Sequence, residues 1–482
     1  MQVGLVSAAL VLLFVLLWQK LQLGLVRYFD VDELAYLHWA HNLFTGQLPY
    51  RDFLFYIPPG FLYILAPLFW IAHGAAILTA GRVVAFVIFC AITTLVCLLF
   101  WQVRRNWLAL VAGILVVFLP IPADKFLELR PDNLAMALFL GGMVCEVAWF
   151  QGRRRAAVWS GLLYGISLMI LPKTLPGVAV ASFLALFYGF RRHGADYIAG
   201  LVIPFVLFGV WIIGVARSWG DWSMIIYSLT RLPLEVNKLG TIFWTGPDLF
   251  FYPNGLLYGS SGLGAGLLWN HAVWIFGLLV WVVRLMTPFT PRGKKGIWTE
   301  LLIAGSLLVF TASFLFEYLM RNEQYLIPIA IFVAFYASDG LTFFWQASSG
   351  RFRTASFIVF LMLFWAIYRV NTDITRVKMS VTDTAAVETL RTALTVIPKG
   401  AYVFDLTGAT IYFRDPYYVS AVPFEQWEQF LSRPLPPLIP TLEATRTRYV
   451  YVGNRLDTLS PEHQEYIKNN FIPLSDTLLV RK

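Results

Sequence analysis

The chain has 482 residues, 58% hydrophobic and 13% charged, with a mean hydropathy of +0.66. Soluble globular proteins carry about 25% charged residues, so the composition excludes a soluble enzyme. Apolar runs recurring from residue 3 to about residue 369 describe a polytopic membrane protein instead. The net charge of +9 lies in short links between those runs. That placement reports membrane topology and argues against a nucleic-acid partner.

The first run, residues 3–18, follows no basic residue and shows no small-residue cleavage site, so an uncleaved first span is expected. Behind it, Tyr28–Gly60 sets Asp30, Asp32 and Glu33 where a membrane helix meets water, under an aromatic, half-apolar segment. From Asp32 onward, Leu34, Leu37, Ala40, Leu43 and Phe44 recur at helical spacing. They predict an amphipathic helix lying along the interface, with Asp32 able to cap it. Residues 59–73 are too short to span and predict a second interfacial or re-entrant helix, with the second span beginning near Arg82.

Basic clusters at Arg104–Arg105, Arg153–Arg155, Arg191–Arg192, Arg284 to Lys295, and Arg351 with Arg353 assign those links to the cytoplasm. Acidic, aromatic loops at 27–58, 121–132, 217–265 and 317–324 fall between them. The alternation predicts about eleven spans with the N-terminus inside. Residues 156–190 must go out and back, yet as helix they cover only ~50 Å, short of two ~30 Å crossings. Two short crossings are expected, with the Leu171–Pro176 turn sunk below the outer surface, a placement tolerated where irregular backbone lines a protein cavity. Cys90, Cys97 and Cys145 lie inside predicted spans and read as packing residues.

Residues 370–482 read as an extracytoplasmic α/β domain following a 1–369 transmembrane catalytic domain. A helix is expected over 383–396, strands over 401–406, 447–452 and 473–480, and a helix opening at Ser460-Pro461. This region carries no phosphate loop, metal cluster or nucleophile motif.

Four outer-side features can carry chemistry. Asp30, Asp32 and Glu33 are the first, their ordinary reading being helix capping. Glu128, Arg130 and Asp132 in ELRPDN come second, against a plain helix start at Pro131. Lys173 in the sunken turn is the third; it binds a phosphate or simply snorkels to the interface. Arg321 is the fourth, binding an anion or pairing with Glu317 or Glu323. His38 and His41, three apart, lack a clear third ligand for a metal, which leaves the metal question open.

The Asp-Glu pair after the first span, followed by G-x-x-PYRDF-x-x-Y-x-PPG from Gly46 to Gly60, resembles the GT-C glycosyltransferases. The similar members are bacterial ones in the clan of protein O-mannosyltransferases and lipid A aminoarabinose transferases. The resemblance covers roughly residues 1–345 and includes the RPDN start, the lysine turn and the Tyr325–Pro328 start of a span. It implies a GT-C-like all-α membrane fold and a sugar donor on a polyprenyl phosphate. It further implies a glycan, lipid or protein acceptor, and a bacterial inner-membrane enzyme working on the periplasmic side. Asp32 matches the position taken as catalytic base, with Asp30 and Glu33 beside it. Asp132 resembles the second acid, which orients the acceptor or helps bind a divalent cation, and Lys173 resembles the donor-phosphate lysine. Two departures concern cations. The aminoarabinose transferases carry Asp-Glu-x-Arg-Tyr and Lys-Pro-Pro, where this chain has Ala35 and Ile57. Phosphate binding is thereby left to Lys173, Arg321, Arg130 or Arg51. The rival readings are a transporter or flippase for lipid-linked sugars, and a glycan polymerase or ligase. A transporter is expected to show internal repeats and midplane charges, whereas no repeat is visible and the acids cluster at one face.

Overall fold

The computed structural model describes residues 1–189, 193–241, 264–286, 293–319 and 322–482. Its helices are α1 (Gln2–Val26), α2 (Val31–Phe44), α3 (Ala76–Arg104), α4 (Ala109–Phe118), α5 (Pro120–Leu127), α6 (Pro131–Phe150) and α7 (Ala156–Ile170). They continue as α8 (Leu175–Gly189), α9 (Gly194–Val215), α10 (Gly264–Met286), α11 (Gly293–Ala312), α12 (Ile327–Ala347) and α13 (Gly350–Lys378). Among the described residues eight helices are long and apolar enough to cross a membrane, and the pair α4 and α5, bent by 81°, makes a ninth. The short apolar helices α7 and α8 complete the set of about eleven expected from charge alternation. The chain is a multi-pass membrane protein.

The bend between α4 and α5 falls at Pro120 and Pro122, which have no N–H to continue a helical ladder. The backbone N–H of Ile121 is caught instead by Asn270 Oδ1 of α10, at 3.2 Å. Helices α7 and α8 have 15 residues each, so each covers ~22 Å, less than a full crossing. Between them lies the single 3-10 turn Pro172–Thr174. Helix α7 is locked to α9 by close backbone approach, since a Cβ on Gly161 would stand 2.0 Å from the Tyr197 carbonyl.

Several expectations are corrected. The N-cap of α2 is Asp30, which accepts from the Asp32 N–H at 3.0 Å while Glu33 reaches back to the Asp30 N–H at 3.0 Å. This reciprocal pair is a capping box, and it leaves the Asp32 side chain free of the cap. Nor is α2 exposed along a polar face, as a simple amphipathic helix would be: every residue from Glu33 to Ala40 is buried. The reason is a second covering layer supplied by the C-terminal region. Lastly, α3 starts at Ala76 rather than near Arg82, because Arg82 is drawn inside the helix to neutralise a buried acid. The expected helix at 59–73 appears as two short turns, Gly60–Leu65 and Leu68–Ile71.

Helix α13 runs unbroken through Arg369 to Lys378. The chain then returns to the end of α1, where Tyr28 N–H donates to the Val381 carbonyl at 3.1 Å and Asp383 N–H to that of Val26 at 2.9 Å. After α14 (Thr384–Val396) comes a four-stranded sheet of β1 (Val403–Phe404), β2 (Tyr449–Tyr451), β3 (Phe471–Pro473) and β4 (Leu478–Arg481), in the order β1-β2-β4-β3. β1 and β2 are parallel and the other pairings antiparallel. The single strand expected at 473–480 is a hairpin, because the chain reverses after Leu474, whose N–H donates to the Leu478 carbonyl at 2.8 Å. Leu37, Trp39, Phe55 and Phe61 share one buried core with Leu406, Ile411, Tyr417 and Trp427. The C-terminal domain and the first loop are therefore one packed unit.

At the other end of α3, Arg104 and Arg284 both grip Asp339, at 2.7 Å each, and Arg104 also pairs with Glu300. This knot ties α3, α10, α11 and α12 together about 33 Å from Arg82. The candidate site lies at the Arg82 end.

Candidate active site

The site is built where the start of α2 meets the start of α6. Arg130, the residue before α6, is positioned by its Nε on Glu128 Oε2 at 2.6 Å. Its Nη2 then reaches Asp32 Oδ2 at 2.6 Å and Asp30 Oδ1 at 3.1 Å. Glu128 is fully buried and also receives Arg27 at 3.0 Å and Lys125 at 2.8 Å. Glu33, likewise fully buried, accepts from the Leu129 N–H at 2.7 Å and pairs with Arg82 at 2.9 Å. These buried acids are matched by cations, as the cost of isolated buried charge requires.

The two aspartates differ. Burial pushes the Asp30 carboxyl up, but Arg130 and Lys125 outweigh it and hold the group well below the usual carboxylate range. Asp30 is further engaged as the α2 cap. The Asp32 side chain is 39% exposed, against 0% for Glu33 and Glu128, so it is the most open carboxylate of the cluster. Glu33 has no face toward solvent.

A second group lies beside the first. Lys173 Nζ sits 3.2 Å from Asp132 Oδ1 and 4.1 Å over the ring of Tyr325, which stacks on Tyr318 at 4.5 Å. Asp132, Leu171, Lys173, Tyr318, Gln324 and Tyr325 line part of a small pocket. Lys173 keeps 32% of its side chain exposed there. The turn between the short helices thus presents an ammonium to an aromatic-walled cavity, where an anion can exchange with Asp132. Burial, with the Asp32 charge, pushes the Tyr56 phenol up to about 12, and Tyr56 also feels Lys173 and Tyr325. The Tyr36 phenol is raised by burial and feels both Asp32 and Asp132.

The C-terminal domain closes over α2. His38 places Nδ1 3.1 Å from the Ile411 carbonyl and Nε2 2.6 Å from Asp415 Oδ2, so both ring nitrogens face acceptors. Its histidine role is to hold a domain. Arg455 Nη2 comes within 3.2 Å of Asp32 Oδ1. No local pattern marked Arg455, which lies 423 positions from its partner.

The structure brings together Asp30, Asp32, Glu33, Arg130, Asp132 and Lys173. Arg51 is not part of this group: it bonds to Asp52 at 2.9 and 2.7 Å on the loop surface. Arg321 lies outside the described residues. Among the described residues no set of three or more His, Cys, Asp or Glu side chains has metal-ligating geometry. The Asp32 oxygens are instead met by the guanidinium groups of Arg130 and Arg455, so the residues present around Asp32 do not fit a divalent ion.

Carboxylates on one loop and a lysine pocket beside them are held in a many-span helical frame, and that fold is shared with solved structures. ArnT from Cupriavidus metallidurans, determined bound to undecaprenyl phosphate, matches with TM-score 0.58 and 12% identity over 99% of this chain and 97% of that one. The oligosaccharyltransferase of Archaeoglobus fulgidus in its apo form matches with TM-score 0.52 and 12% identity over 92% of this chain and 69% of that one. The same archaeal enzyme, AglB, in complex with an inhibitory peptide and a dolichol-phosphate, matches with TM-score 0.50 and 13% identity over the same shares. No protein-family model and no curated protein matches the chain.

Proposed function

We propose that the protein is an inverting glycosyltransferase that moves a sugar from a polyprenyl-phosphate donor to a hydroxyl acceptor on a glycolipid, polysaccharide or protein. It works at the outer face of the cytoplasmic membrane. The observation that carries this reading is one open carboxylate, Asp32, at the start of α2, with a lysine-bearing pocket at the start of α6.

In this reading Asp32 accepts the proton of the acceptor hydroxyl as that oxygen attacks the anomeric carbon. The new glycosidic bond forms as the bond from that carbon to the phosphate oxygen breaks, inverting the centre. The bonding pair leaves with the polyprenyl phosphate, whose growing charge Lys173 neutralises from a fixed position. Asp132 holds Lys173 until the phosphate arrives and orients the acceptor afterwards. Arg130 keeps Asp32 aimed.

Transfer of one sugar is favoured by the near-complete mutual coverage with ArnT. Transfer of a whole lipid-linked glycan is the second reading, which the oligosaccharyltransferase likeness supports. Mass spectrometry of lipid and surface-polymer sugars in a deletion strain tests both. Loss of a single-sugar decoration supports the first and loss of an entire glycan the second. An unchanged envelope would count against a transferase.

A further inference from the structure

We propose that Arg455 is a positioning residue of the transferase site, delivered by the C-terminal domain, so that the site is incomplete until that domain is docked. This rests on the reading of Asp32 as the base.

The delivery can be followed residue by residue. Asp405, buried after β1, accepts from the N–H groups of Thr407 at 2.7 Å, Gly408 at 3.0 Å and Thr410 at 2.8 Å. Those bonds fix a tight loop with Gly408 at φ +77°. The loop seats on α2 itself, where a Cβ on Gly408 would stand 2.8 Å from Ala35 Cα and 3.1 Å from His38 Cβ. Only glycine allows both the positive φ and this approach. Ala35, the position where the aminoarabinose transferases carry arginine, is the surface on which Gly408 rests.

The same loop aims the guanidinium. Arg455 Nη1 donates to the Leu406 carbonyl at 3.1 Å and to the Ala421 carbonyl at 2.7 Å. With Nη1 anchored, the planar fork turns Nη2 toward Asp32 Oδ1. Asp32 is then held at both oxygens, Oδ2 by Arg130 from the membrane domain and Oδ1 by Arg455. Each oxygen retains a lone pair for the acceptor hydroxyl.

The bland alternative is a surface ion pair, worth little. It does not account for a guanidinium anchored on two backbone carbonyls and aimed at the open carboxylate. Both ideas predict a contact; only a positioning role predicts a change in turnover at constant donor binding.

The test uses full-length protein in membranes of a deletion strain, with Arg455→Met, Arg455→Lys and Asp32→Asn. Two quantities are read: release of undecaprenyl phosphate from undecaprenyl-phosphate-linked hexoses and pentoses, and binding of undecaprenyl phosphate alone. Arg455→Met should lower kcat about 10- to 100-fold, as a misaimed group does, with undecaprenyl phosphate affinity unchanged. Arg455→Lys keeps the charge without the fork and should fall between. Wild-type kcat in either variant overturns the proposal, as does parallel loss of turnover and lipid binding, which would make Arg455 a folding residue. Full activity in Asp32→Asn removes the base itself and so the reading on which this proposal rests. Dependence on Asp32 without dependence on Arg455 removes Arg455 alone.

Discussion

Arg130 Nη2 lies 2.6 Å from Asp32 Oδ2, joining residues 98 positions apart, while Nε of the same guanidinium holds buried Glu128 at 2.6 Å. One side chain therefore ties the start of α6 to the start of α2 and orients the most open carboxylate of the site. Asp30 shares Nη2 but is also the helix cap. The neighbouring aspartates thus have separable roles, which substitution can distinguish.

Asp32→Asn removes the proton acceptor and keeps the shape. Turnover of polyprenyl-phosphate-linked sugar should fall by about 100- to 10,000-fold, the usual contribution of a positioned base, with normal expression. Asp30→Asn should leave turnover nearly unchanged, since asparagine still caps the helix, and should act on stability through the lost pairing with Arg130 and Lys125. Release of the free lipid phosphate in membranes measures both. Retained turnover in Asp32→Asn would remove it as base.

Lys173→Ala takes the ammonium out of the Tyr325 pocket and leaves Asp132 without its partner at 3.2 Å. A hydrogen bond to a charged group contributes about 1.5–3 kcal/mol, so undecaprenyl phosphate should bind roughly 10- to 100-fold more weakly. Titration of purified protein with undecaprenyl phosphate checks this. Unchanged affinity would put the lysine outside the donor site.

Docking of the C-terminal domain should depend on pH through His38. Burial alone pushes this imidazole down, but Asp415 and the Ile411 carbonyl outweigh it and leave its pKa raised. A raised folded-state pKa gives stabilisation that is complete below the ordinary value of about 6.5 and is lost as pH climbs through the folded value. The protection of residues 405–415 from amide exchange, corrected for the intrinsic base-catalysed rate, should therefore fall as pH rises above that range. In His38→Gln this loss of protection with pH should be absent, and an equal loss there would assign it to another group.

Arg82→Met strands Glu33, which is buried to 0% with Arg82 as its ion partner at 2.9 Å. Breaking a buried pair from one side costs about 3–5 kcal/mol, so a clear drop in Tm is expected in detergent. By contrast Arg51→Ala, on the loop surface, should change Tm little. Equal effects would contradict the burial difference.

Much of the frame was legible in the sequence because its causes are local. Hydropathy and basic links located the spans, the shortness of residues 156–190 gave the two 15-residue helices with Lys173 between them, and Pro131 marked the start of α6. The Asp-Glu loop and PYRDF supplied a resemblance to GT-C enzymes, and the many-span helical fold it implied is shared with the solved structures. Where a call needed a partner from far away, it slipped. The apolar spacing of α2 suggested a helix with one open polar face because nothing nearby announces that Gly408 will cover Ala35. Asp32 looked like the cap because the competing Asp30 bond, only two residues away, depends on where the helix actually begins.

The sequence by itself determined that the chain threads a membrane many times and gathers acids after its first span. Those properties follow from transfer free energies and charge bias that each segment carries alone. Only the tertiary structure decided which acid is open. Glu33 and Glu128 are closed by Arg82, Arg27, Lys125 and Arg130, and Asp30 is taken by the cap. Asp32 stays exposed between Arg130 and Arg455. Burial and ion pairing are properties of surfaces brought together from positions up to 423 residues apart, and no local period encodes them.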